Sequence, residues 1–145
     1  MRRIALVSCG AAKLDHAAPA RELYTSNLFR LAAAYADRHF DRWWVISAFY
    51  GLLSPDRIVA PYDVSLEDYS PKGREGWGRW VAAAAVTCDR DAAFTLLAGG
   101  HYRVLAEELR GGVYRARGPV HEPLRGLAIG KRMQWLKREL QAVSA

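Results

Sequence analysis

Ile4–Lys13 reads IALVSCGAAK, and this stretch decides the fold. Ile4, Leu6 and Val7 sit in a run that is apolar at nearly every position over Arg3–Ser8. A strand of that kind is buried on both faces, as in the middle of a parallel sheet. Cys9-Gly10-Ala11-Ala12 then offers small side chains past which a ligand can approach the backbone closely, and Lys13 follows. In an open α/β sheet, ligands sit beyond such carboxyl ends of strands.

Outward from this strand the chain alternates. Asp15–Glu22, with His16 and Pro19, reads as a loop. Thr25 or Ser26 can cap a helix from about Asn27 to Arg38, whose Leu28, Leu31 and Tyr35 recur at helical spacing. Arg42–Phe49 (RWWVISAF) is a second buried strand that ends in Tyr50-Gly51. Ser54–Asp68 holds Pro55 and Pro61 and reads as a long connection, a kind of loop that is often functional. Pro71 suits the first turn of a helix from about Lys72 to Thr87, with Trp77, Trp80, Val81, Ala84 and Cys88 on its buried face. Gly73, Gly76 and Gly78 weaken the first half of that helix.

Ala92–Leu97 is a third strand, ending at Gly99-Gly100-His101. A helix over Tyr102–Leu109 stops at Gly111-Gly112, and Val113–Arg115 reads as a short fourth strand. Gly118–Gly126 reads as a loop and Leu127–Val143 as the last helix. Strands alternating with helices predict one α/β domain over residues 1–145, with a mostly parallel four-stranded sheet covered by helices on both faces.

Composition narrows the function classes. With 51% apolar and 25% charged residues over 145 positions, the chain suits one globular core. No apolar run approaches the ~20 residues of a membrane span. Met1-Arg2-Arg3 before IALVSCG imitates a signal peptide, but the run is short and soon meets Lys13 and Asp15, so a cytoplasmic location is expected. Cys9 and Cys88 are too few for a disulfide framework or a structural zinc site, and Cys88 reads as core packing. A net charge of +6 favours an anionic partner, nucleic acid or a phosphorylated small molecule first, although an Arg- and Ala-rich composition has the same effect.

Three strand ends combine small and polar residues: Ser8-Cys9-Gly10 with Lys13, Ser47 with Tyr50-Gly51, and Gly99-Gly100 with His101. Lys13 could bind phosphate or, if desolvated, act as a nucleophile; a solvated loop lysine is the plain alternative. Cys9 could be a nucleophile, but a small residue packing a tight turn is the simpler reading. Asp63, after Tyr62 on the long loop, could activate water or stabilise a sugar cation, or simply cap a turn. Tyr24, Tyr50 and Tyr62 are candidates for stacking on a base. The His residues lack metal-ligand spacing, and Walker, GXGXXG, HEXXH and CXXC patterns are all missing, so no metal or nucleotide cofactor is expected.

Three segments together carry a resemblance: Ser8–Phe29 (SCGAAKLDHAAPARELYTSNLF), Ile46–Leu66 (ISAFYGLLSPDRIVAPYDVSL) and Leu127–Lys137 (LAIGKRMQWLK). They resemble a bacterial and phage family of unknown function. That family is similar to uracil-DNA-glycosylase-like α/β/α domains and looks related to domains linked to hypermodified pyrimidines in phage DNA. A more distant likeness is to archaeosine synthase, in which a Pro-Cys precedes a lysine that attacks a modified base. Cys9 and Lys13 keep that cysteine-to-lysine spacing, but Ser8 replaces the proline and Lys13-Leu14-Asp15 replaces Lys-Pro-Tyr.

The resemblance implies a uracil-DNA-glycosylase-like fold and a nucleobase or nucleic-acid theme; with the basic charge and the strand-end residues it leads to the expectation of an enzyme that cleaves or exchanges an N-glycosidic bond, with DNA or a nucleotide as partner. Lys13 and Asp63 would be catalytic. Ser8, Cys9, Gly10, Tyr24, Ser47, Tyr50, Gly51, Tyr62 and Arg132 would bind substrate. The alternatives are a non-catalytic nucleic-acid-binding module and a nucleoside monophosphate hydrolase.

Overall fold

β1 (Arg3–Ser8) is the middle of the sheet, as its apolar run requires: Ile4, Ala5, Leu6 and Val7 are each at most 1% exposed. In the computed structural model, which describes residues 1–144, β1 pairs in parallel with β3 (Arg42–Ser47) on one side and β6 (Ala93–Leu97) on the other. β4 (Gly51–Leu53) closes one edge as an antiparallel hairpin with β3, and β7 (Val120–His121) adds a parallel strand at the other edge. The sheet order is β4-β3-β1-β6-β7. A second, small sheet pairs β2 (Ala18–Pro19) with β5 (Ile58–Val59).

Helices cover both faces because alternate strand residues point opposite ways. Ala5, Val7, Trp43 and Val45 pack with α1 (Ala20–Leu23), α2 (Asn27–His39) and α5 (Ile129–Ser144). Ile4, Leu6, Trp44, Ile46, Phe94 and Leu96 pack with α3 (Pro71–Asp89) and α4 (Arg103–Gly111). Each fully buried Leu or Ile is worth about 1.5–3 kcal/mol. Ser26 caps α2, its Oγ accepting from the Phe29 amide at 3.1 Å, and Ser70 caps α3 through Gly73 with Pro71 in the first turn.

The structure departs from the sequence reading at the edges. Val113–Arg115 is a turn and loop, and the strand beside β6 is β7, inside the segment read as a loop. Two- and three-residue strands carry no periodicity to read; pairing creates them. The sheet therefore has five strands. α3 is helical from Pro71 despite its glycines, and Gly78 lets α4 approach: a Cβ there would lie 3.1 Å from the Val104 carbonyl oxygen. Trp80 and Cys88 are exposed, not core.

Strand order also locates a crevice. The chain runs from β1 through α2 to β3 on one side, then returns through α3 to β6 on the other side of β1. The direction of winding thus reverses between β1 and β6, and ligands in open α/β sheets bind at such a reversal.

Candidate functional site

Ser8-Cys9-Gly10 at the end of β1 faces Leu97-Ala98 at the end of β6, and Ser8 Oγ donates to the Leu97 carbonyl at 3.4 Å. Between them, and against the start of α2, lies a cleft of about 50 Å³. Its floor is Leu28, Phe29, Ala32 and Leu124; its rim is Ser8, Cys9, Gly10, Ser26 and Arg132. That is far below the ~300 Å³ at which small-molecule pockets begin. It fits a compact group such as a phosphate, not a whole nucleoside.

Arg132 reaches this rim from α5. Its Nε donates to the Leu127 carbonyl at 2.7 Å, and its guanidinium lies where a Cβ on Gly99 would be. Its Nη groups have no protein acceptor among the described residues, nor do the amides of Gly10 and Ala11. Free N–H donors gathered at a strand end suit an oxyanion.

The opposite wall is a closed web of hydroxyls. Ser47 Oγ accepts from the amides of Phe49 (3.2 Å) and Tyr50 (3.0 Å) and donates to Tyr62 Oη at 2.7 Å. Tyr62 Oη donates to Cys9 Sγ at 3.4 Å and lies 2.6 Å from Tyr24 Oη. With its one proton on sulfur, Tyr62 must accept from Tyr24 as well as Ser47, which uses both its lone pairs. Tyr102 Oη closes on the same sulfur at 3.6 Å. Burial first, and the neighbouring Cys9 sulfur second, push Tyr24, Tyr62 and Tyr102 well above the ordinary phenol value, so all three stay protonated donors at neutral pH.

Local pairing explains how loops distant in sequence meet here. Lys13 bridges Tyr24, while Ala20 N donates to Arg57 O and Arg21 N to Pro55 O, both at 2.9 Å. Together with the β2–β5 pair, these bonds clasp the loop after β1 to the long loop after β4. Tyr62 is thereby brought under Lys13, whose Nζ stands 4.4 Å from the Tyr62 ring centre and 5.8 Å from that of Tyr24. Lys13 Nζ also donates to the Ala11 carbonyl at 3.2 Å.

Most of the expected site residues therefore converge, in roles the sequence did not specify. Tyr24 is only 1% exposed and cannot present its ring to a base. Tyr50 spends its hydroxyl on the Ala60 carbonyl at 2.9 Å. Gly51 holds φ +72°, and a Cβ there would meet the Trp80 ring at 2.7 Å, so its role is to let α3 cross the hairpin. Asp63 is exposed and joins no side-chain hydrogen bond or ion pair among the described residues, with Lys13 or otherwise.

Sequence reading missed Phe49, Ser26 and Tyr102 as site residues. Phe49, the last residue of the expected second strand, is 51% exposed at the hairpin turn and stacks on Tyr62 with ring centres 5.3 Å apart. The signal was Tyr50-Gly51 directly after it, which marks a turn. Tyr69 holds that turn by donating to the Ala48 carbonyl at 2.6 Å.

Residues 4–138 match the family of unknown function DUF6884. The chain belongs to that family. The DUF6884 match takes in every residue of both walls. The chain is also 32% identical over 79 residues to the uncharacterized protein YfjM of Bacillus subtilis (strain 168), across 50% of this chain and 53% of that one. It thus spans about half the length of the curated relative it matches. No solved structure matches it. Among the described residues, no group of His, Cys, Asp and Glu could hold a metal ion, and no helix is long and apolar enough to cross a membrane.

Proposed function

We propose that this DUF6884 protein processes a nucleobase, cleaving or exchanging the N-glycosidic bond of a modified base in DNA. The observation that carries this reading is the convergence at the β1/β6 reversal. Lys13 sits over Tyr62, Cys9 lies between two protonated phenols, and Arg132 rims a phosphate-sized cleft, with an exposed Phe49 beside them. In this reading the fold is of the uracil-DNA-glycosylase kind and the target is a hypermodified pyrimidine of phage DNA.

A base splayed out of its stack would rest on Phe49, and its phosphate would meet Arg132 and the Gly10 amide. As the C1′–N bond breaks, its electron pair moves onto the base. Asp63 would stabilise the sugar cation and take the proton of a water whose oxygen bonds to C1′. If Lys13 attacks instead, its nitrogen bonds to C1′ as the base leaves, the C1′–O4′ bond opens with the amine proton passing to O4′, and the resulting imine is trapped by borohydride.

Mass spectrometry of bases released from DNA carrying modified pyrimidines tests the reading, and Asp63→Asn should lower release at least tenfold. Release without a borohydride-trapped adduct removes only the nucleophile role of Lys13. A second reading, a binding module without chemistry, is favoured by the hydroxyl web, whose members are already bonded to one another. Absence of release from a broad panel of modified DNA, with DNA binding retained, selects it.

A further inference from the structure

A second basic feature lies beside the cleft. Between α2 and α5 runs a groove of about 460 Å³, floored by Leu31 and Met133 and flanked by Asn27, Arg30 and Lys137. It begins where the cleft ends: Asn27 follows the cleft residue Ser26, and Met133 follows Arg132. Asn27–Leu31 and Met133–Lys137 each advance about 6 Å along their helices. Arg30 and Lys137 have no carboxylate partner among the described residues. Residues 27–36 of α2 and 129–138 of α5 contain no Asp or Glu at all, although the chain has 15 of them.

We infer that this groove is a track for a single nucleic-acid strand, which leads the sugar-phosphate backbone into the Arg132 cleft. The inference rests on the proposed function and deepens it, since it makes the DNA single-stranded where it meets the protein. Two cations on the walls match two phosphates. The apolar floor of Leu31 and Met133 accepts a sugar or the face of a splayed base, as in single-strand-binding grooves. A duplex turns its bases inward and would leave that floor uncovered. An acidic peptide would satisfy the cations, but only a nucleic-acid strand pairs each backbone charge with an aromatic base.

Fluorescence anisotropy of a labelled oligothymidylate of about 12 nucleotides, titrated over a series of salt concentrations, tests this. The wild-type chain binds with a steep log–log salt dependence. Arg30→Ala/Lys137→Ala makes the slope shallower by about 1.4, or about 0.7 for each phosphate no longer neutralised. Lys72→Ala/Arg79→Ala removes the same charge from α3, on the other face of the sheet, and leaves the slope unchanged. Equal slope changes in both double variants, or no binding by wild type, would overturn the track. So would equal displacement by polyglutamate or by anionic phospholipid vesicles at the same charge. Base release from free nucleosides without oligonucleotide binding sinks the track and keeps the enzyme; oligonucleotide binding without base release from any modified DNA keeps the track and sinks the enzyme.

Discussion

The two walls of the site are built on opposite principles. On the Tyr62 wall every polar group is spoken for: Ser47, Tyr62, Tyr24, Cys9 and Tyr102 bond to one another, and Lys13 rests on the Tyr62 ring. On the Arg132 wall donors are left over, in the guanidinium and the Gly10 and Ala11 amides. A buried polar group without a partner costs about 1–3 kcal/mol, so the inner web has to be closed for the fold to be stable. The rim, wetted by solvent, can keep its donors for a ligand. One wall sets shape, and the other keeps donors free.

That contrast breaks most visibly in alkali. Tyr24, Tyr62 and Tyr102 have folded pKa values raised above their ordinary 10.0, so the unfolded chain loses these protons first. Their contribution is complete below about pH 10 and is lost as pH rises toward the folded values. Unfolding is expected to begin above that point, with these phenols ionising together with the loss of the fold, as followed by absorbance near ~295 nm. Early ionisation of all seven tyrosines in a folded chain would show the web to be open.

Gly51→Ala comes next. The hairpin that carries Phe49 and Tyr50 needs the left-handed backbone at Gly51 and room for Trp80, so a loss of about 3 kcal/mol is expected in urea unfolding. Adding Trp80→Ala should return the part due to the clash. Tyr62→Phe removes the centre of the web and should cost about 2 kcal/mol, by orphaning Ser47 and Tyr24. The smallest stability effects belong to Arg132 on the other wall and to the exposed ring of Phe49. Arg132→Ala and Phe49→Ala should each stay within about 0.5 kcal/mol of wild type. Phe49→Ala should still weaken oligonucleotide binding by about 1–3 kcal/mol. A large stability loss in Arg132→Ala would erase the distinction between the walls.

Much of this was legible in the chain. The run Ile4–Val7 announced a central strand, Ser26 and Ser70-Pro71 announced helix starts, and small residues at strand ends announced where to look for a site. Edge strands were not legible. β4, β5 and β7 are two or three residues long, too short for a period, and exist because a partner strand offers free backbone groups. The exposure of Phe49 escaped notice for a related reason: a turn inside an apolar run looks like strand until the hairpin closes.

The sequence by itself determined the longer helices, the three central strands β1, β3 and β6 and the residues from which a site could be made, because hydrophobic periodicity and capping are local. Only the tertiary structure decided what those residues do. The loop clasp placed Lys13 on Tyr62, and the reversal of winding at β1 brought Arg132 across Gly99 to the Cys9 cleft. Both depend on pairings between residues far apart in the chain, where the free energy comes from closing hydrogen bonds and burying surface that no local pattern records.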